Sequence, residues 1–176
     1  MTGLLPLISF DAISREELNA SLAAWGHAMG RCARPAWHLQ HGLRHEGRIV
    51  AVTATDSLIT RRVAGLGRHE AVELSRLCAE RPDLCRVALR LWREFVFRPL
   101  ADSQGFTWAV SYQDERLHTG NTYRFDGWVR LARTRSGTDA RSGRRGRNKT
   151  LWGWSPYAPL MAAARAGLIG DGSFAA

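Results

Sequence analysis

The spacing of apolar and polar positions along the 176-residue chain predicts strands alternating with helices. LLPLISF over 4–10 reads as a first strand. Ser14 then stands three residues before Glu17, the capping-box spacing, and Leu18, Leu22 and Trp25 continue a helical face that fades near Gly30. WHLQHGLRHEGRIVAVTATD predicts a β-hairpin turning at His45-Glu46-Gly47, and 57–70 is basic and loop-like. EAVELSRLC reads as a strand with Val72, Leu74, Arg76 and Cys78 on one face. A long helix is expected from Pro82-Asp83, burying Leu84, Val87, Ala88, Leu91 and Phe95 and ending before Pro99. FTWAVSY alternates Phe106, Trp108, Val110 and Tyr112 against Thr107, Ala109 and Ser111, a strand pattern. A short helix from Thr119 to Asp126 should close at Gly127. WVRLAR and KTLWGW are two further strands joined by the Arg/Gly/Ser-rich 135–148, and MAAARAGL suggests a terminal helix. That order predicts an α/β fold, a mixed central sheet flanked by helices over 1–155 with a partly helical extension over 156–176.

Composition narrows the class. An apolar content of 45% and seven Trp belong to a folded globule. No apolar run is long enough to span a bilayer, the opening MTGLLPLISF lacks a basic leader, and three Cys without a CxxC suit reduced thiols, so we expect a soluble cytoplasmic protein. The net charge is +9, and eight basic residues against one acid, Asp139, lie between Arg130 and Lys149. Such a segment attracts polyanions, nucleic acid first, although a solvated loop has the same composition. His38, His41 and His45 would share a face on a helix, but on strands His38 and His41 point oppositely, so no metal site is expected there. Cys78 and Cys85 read as small buried hydrophobes.

The order of elements resembles the GNAT superfamily of acyl-CoA-dependent N-acyltransferases. NTYRFDGWVRLAR carries the resemblance: Tyr123 stands four residues before the Gly127-Trp128 pair. Within the superfamily, ELSRL, SYQD, the His-Thr-Gly turn and the Tyr helix are similar to the Mom proteins of Mu-type phages, which modify adenine in DNA and shield it from restriction. The likeness covers roughly 37–154 and is best over 72–131. One departure stands out. The superfamily places a glycine-rich turn before the long helix to hold the cofactor pyrophosphate, where this chain has Ala79-Glu80-Arg81-Pro82-Asp83.

The resemblance implies acetyl-CoA or a related acyl-CoA as donor, held by Leu77, Arg81 and Arg86. Iron is implied by the same resemblance alone, and no residue spacing locates it. It further implies Arg76, Asp114 and Tyr123 as catalytic residues, with His118 beside them. Asp114 would take a proton from an amine, Tyr123 would give one to a leaving thiolate, and Arg76 would orient Asp114 or bind an anion. A buried Arg76–Asp114 ion pair with Tyr123 merely packed is the plain alternative. DNA would be the partner, met by Arg135, Arg141, Arg144, Arg145, Arg147 and Lys149. Trp152 and Trp154 share a strand face and suit either stacking on a flipped base or core packing. The expected activity is modification of adenine N6. Acetylation of a small-molecule or protein amine, and a non-catalytic DNA-binding module, are the competing readings.

Overall fold

The computed structural model describes residues 7–34, 38–134 and 148–170. Two compact units emerge, one from residues 1–57 with 74–100 and the other from 58–73 with 101–176.

In the first unit, β1 (Ile8–Ala12) pairs antiparallel with β2 (His38–His45), and β2 with β3 (Arg48–Ser57). The hairpin turns where expected: Glu46 and Gly47 both take positive φ, 51° and 78°, the backbone of a two-residue type I′ turn. Between β1 and β2, α1 (Arg15–Ala24) begins with the predicted capping box, Ser14 and Glu17 each accepting the other's backbone N–H. It ends sooner than expected. Gly26, at φ 62°, turns the chain out of the helix just after Trp25. Leu18 and Leu22 pack with Ile13, Val52, Ala54 and Cys78 against the sheet.

β6 (Ala71–Ala79) runs into α2 (Pro82–Trp92), a π-helical turn over Arg93–Phe97 and α3 (Arg98–Gln104). The expected stripe is corrected here. Ala88, Leu89, Trp92, Val96 and Phe97 are buried, whereas Val87 and Phe95 are exposed. Within α2 the buried face runs through Ala88, Leu89 and Trp92, an ordinary helical period rotated away from Val87; the π turn then shifts the face beyond Arg93, with Phe95 exposed and Phe97 buried. The helical path also continues through Pro99 instead of stopping before it. Proline lacks an N–H and its ring crowds the carbonyl four residues back; the wide π turn immediately before it relieves both constraints. Trp92 is fully buried and its indole N–H donates to the Thr55 hydroxyl at 2.7 Å.

In the second unit, 58–70 is not all loop: β4 (Arg62–Val63) and β5 (Leu66–Gly67) form a small separate hairpin. β7 (Trp108–Asp114) pairs antiparallel with β9 (Lys149–Trp154), which pairs antiparallel with β8 (Val129–Thr134). α4 (Asn121–Phe125) precedes β8, and α5 (Ala158–Arg165) packs against it. Gly170 passes so close to β8 that a Cβ there would lie 2.2 Å from the Leu131 carbonyl oxygen.

Strand order through the main sheet is β1-β2-β3-β6-β7-β9-β8. β6 and β7 are parallel, and their register covers only Ala71–Glu73 against Trp108–Val110. Leu74–Ala79 lies beyond that ladder. The mixed α/β architecture read from the sequence is thus the one the chain adopts.

Candidate functional site

The densest buried polar arrangement in the second unit is built on β7 and α4. Alternation along β7 puts Ser111 and Gln113 on one face and Tyr112 and Asp114 on the other. Ser111 is 2% exposed, and its hydroxyl lies 2.8 Å from the Tyr123 phenol oxygen on α4. The Tyr123 ring is held on two sides. Trp152 stacks against it at 5.7 Å between centroids, and Trp128 meets it edge-on at 5.3 Å. Trp152 is fixed in turn, donating its indole N–H to Gln113 Oε1 at 2.8 Å while the Arg130 guanidinium lies 5.4 Å over its ring. The other end of the Gln113 amide donates to the His118 carbonyl at 2.5 Å, which ties the turn before α4 to the strand. Tyr123 is therefore a rigidly placed phenol with a defined hydrogen-bond partner.

The sequence singled out Tyr123, with Trp128 only as part of the Gly127-Trp128 spacing, but not Ser111 or Gln113. The available signal was the strand alternation itself: a small hydroxyl and an amide occupy inward positions where the pattern of a core strand calls for Val or Ile. Trp152 serves packing, the second of its two anticipated uses.

The remaining expected residues fall as follows. Asp114 ends β7, and its Oδ1 accepts the backbone N–H of Arg116, closing the turn. His118 lies exposed on that turn, its own N–H donating to the Asp114 carbonyl at 3.0 Å. Glu115 accepts from Arg133 and from the Thr150 hydroxyl, and the guanidinium contact above all holds its carboxyl below the usual range. Lys149 begins β9 with its ammonium 5.8 Å from the Tyr112 ring. Arg135, Arg141, Arg144, Arg145 and Arg147 lie outside the described residues.

In the first unit, Arg76 on β6 is 7% exposed. Its Nη1 donates to its neighbour's carbonyl, Ser75 O, at 2.8 Å, and its Nη2 reaches Arg31 O at 3.5 Å. Ser75 itself bonds the buried Asp56 carboxylate, beside which Arg34 stands at 3.9 Å. Leu77 lies in the part of β6 beyond the β7 register, half-buried against the α2 side. The turn from Ala79 to Asp83 keeps its charges paired: Arg81 with Asp83 at 2.7 Å, and Glu80 with Arg48 at 2.5 Å. Both arginines are well exposed, so solvent screens these pairs and an anionic phosphate could compete with Asp83 for Arg81. Arg86 and Arg90 face an open groove with Asp83, Val87 and Leu91. Polyphosphate recognition at this turn would thus rest on arginine side chains and the α2 N-terminus, without glycine. Among the described residues no three of His, Cys, Asp and Glu are grouped to hold a metal ion. No helix among them is long and apolar enough to cross a membrane.

Solved structures with the same arrangement of elements include known and probable acetyltransferases. A probable acetyltransferase from Staphylococcus epidermidis superposes with a TM-score of 0.61 at 8% identity, covering 85% of this chain and 99% of its own. The ribosomal-protein-S18-alanine N-acetyltransferase of Escherichia coli gives 0.57 at 13% identity, covering 84% and 93%. The protein yncA of Salmonella typhimurium, solved with its cofactor acetyl-CoA, gives 0.58 at 13% identity, covering 87% and 97%. The chain has the GNAT acetyltransferase fold. At these identities the GNAT likeness is one of fold. No protein-family model and no curated protein matches the chain. None of the GNAT structures supports DNA as a partner or iron as a cofactor.

Proposed function

We propose that the protein transfers an acyl group from an acyl-CoA thioester to an amine. The observation that carries this reading is the rigid Tyr123 phenol, seated on the short helix after β7 in a chain with an acetyltransferase fold. In the reaction the amine nitrogen attacks the thioester carbonyl, a C–N bond forms and the C–S bond breaks. The departing thiolate takes a proton, which we assign to the Tyr123 hydroxyl, with Ser111 holding that hydroxyl in place. The amine loses a proton, which we assign to His118 on the turn after β7, because the expected base Asp114 points to the opposite face of the strand from Ser111 and Tyr123 and binds the Arg116 N–H. The donor is proposed to lie along β6 at Leu77, with its phosphates met by Arg81 and Arg86. Unladdered strand edges suit extended ligands carrying amide groups.

The test is thiol release from acetyl-CoA with a panel of amines. Amine-dependent turnover that falls about a hundredfold in Tyr123→Phe supports the assignment. No thiol release with any amine refutes it. A second reading takes adenine N6 in DNA as the amine; the eight basic residues between Arg130 and Lys149 favour it. Mass spectrometry of nucleosides from plasmid DNA of expressing cells decides that reading: an altered adenine that disappears in Tyr123→Phe supports it, and unaltered adenine removes it.

A further inference from the structure

We infer that Arg76 is the receptor for an oxyanion, a carboxylate or a phosphate. Among the described residues, Arg76 is the only buried arginine. The exposed guanidiniums of Arg48, Arg81 and Arg133 each have a carboxylate, and so does the less exposed Arg44. Arg76 has only two neutral carbonyls, from Ser75 and Arg31, and its Nε–H is buried with no hydrogen-bond partner. A buried cation without a counter-charge is strongly unfavourable, and an unmade bond at a charged donor adds to that. The disposition of its donors is specific. Nη1, on the far side of the fork, makes the good bond at 2.8 Å, whereas the Nε–Nη2 edge holds one unpaired N–H and one contact stretched to 3.5 Å. That edge is the one that grips two oxygens of a carboxylate or phosphate side by side. Lysine has no such edge.

The experiment is a titration of protein labelled with ¹⁵N-arginine, followed through its Nε–Hε resonances. Comparison with Arg76→Lys assigns the Arg76 signal. Sodium acetate and inorganic phosphate are added separately against chloride at constant ionic strength. A saturable shift of the Arg76 signal with either anion, absent from the surface arginines, is the expected result, and the stronger of the two arms names the group. A signal that stays fixed, or drifts linearly as the surface arginines do, overturns the site and leaves Arg76 as a clamp on the Arg31 carbonyl.

Discussion

Gly120 is the position where a single methyl group should do the most to the Tyr123 arrangement. It caps α4 at φ 78°, and a Cβ there would stand 2.6 Å from Gln113 Oε1 and 2.7 Å from Trp152 Cζ2. Gly127, at φ 81°, is the natural control because a Cβ there meets nothing within 4 Å. Both alanine variants carry the left-handed backbone penalty, about 1–2 kcal/mol. Only Gly120→Ala must also push the Gln113 amide aside. That amide makes two bonds, to the His118 carbonyl and from the Trp152 indole, inside a region where Gln113 is 6% and Trp152 2% exposed. At about 1 kcal/mol for each bond, Gly120→Ala should be less stable than Gly127→Ala by roughly 2 kcal/mol.

Urea unfolding at pH 7 measures the difference, with an unchanged m-value showing that the transition is the same one. Gln113→Ala removes the obstacle, so the Gly120→Ala/Gln113→Ala double variant should lose less than the sum of the singles by about 1 kcal/mol or more. If Gly120→Ala and Gly127→Ala unfold at the same urea concentration, the Gln113 amide is not the wedge between the turn and Trp152, and the account of how Tyr123 is fixed fails.

Ser111→Ala should cost about 1 kcal/mol, the usual worth of one buried hydrogen bond, and lower turnover through kcat with KM unchanged; a KM effect alone would contradict a role at the Tyr123 hydroxyl. Burial first, then the neighbouring Cys78 and Asp83, pushes the Cys85 thiol up to about 11, and burial raises Cys78 as well. Ellman's reagent at pH 8 should therefore find neither thiol in the native protein and all three cysteines in denaturant, and rapid native labelling of Cys85 would refute the packing around it. The Glu115 carboxyl is held below its ordinary value of 4.5 by Arg133. Its contribution to stability is complete above that value and is lost as pH falls through the lowered folded-state value. Glu115→Gln should accordingly be less stable than wild type at pH 6 and converge with it in acid, as measured by urea midpoints; a gap that persists at pH 2 would show that charge is not the cause.

The elements whose sequence signals are local were the legible ones. Ser14 and Glu17 announce a helix start because the capping box closes within four residues. The Glu46-Gly47 turn is set by two positive φ angles between strands of clear alternation. The phase of α2 was not legible, because its apolar residues allow more than one face and only packing selects Ala88, Leu89 and Trp92; nor does any local period mark the π turn over Arg93–Phe97. Of the candidate site, Tyr123 was legible through its distance from Gly127-Trp128. Ser111 and Gln113 were hidden because serine and glutamine on a strand carry no signal until the partner across the turn is known.

Those two residues belong to a wider pattern that physical reasoning about stability does not predict. A central strand covered on both faces is expected to be a nearly continuous run of Val, Ile and Leu. β6 instead buries Glu73, Ser75 and Arg76 in its middle, and β7 buries Ser111 and Gln113. Each of these side chains must be desolvated, and a valine at the same place would not incur that penalty. β3, also an interior strand, follows Val50–Val52 with buried Thr53, Thr55 and Asp56. Departures of this kind, in a chain that obeys the rules at its caps and turns, are the ones that call for a functional rather than a stability account.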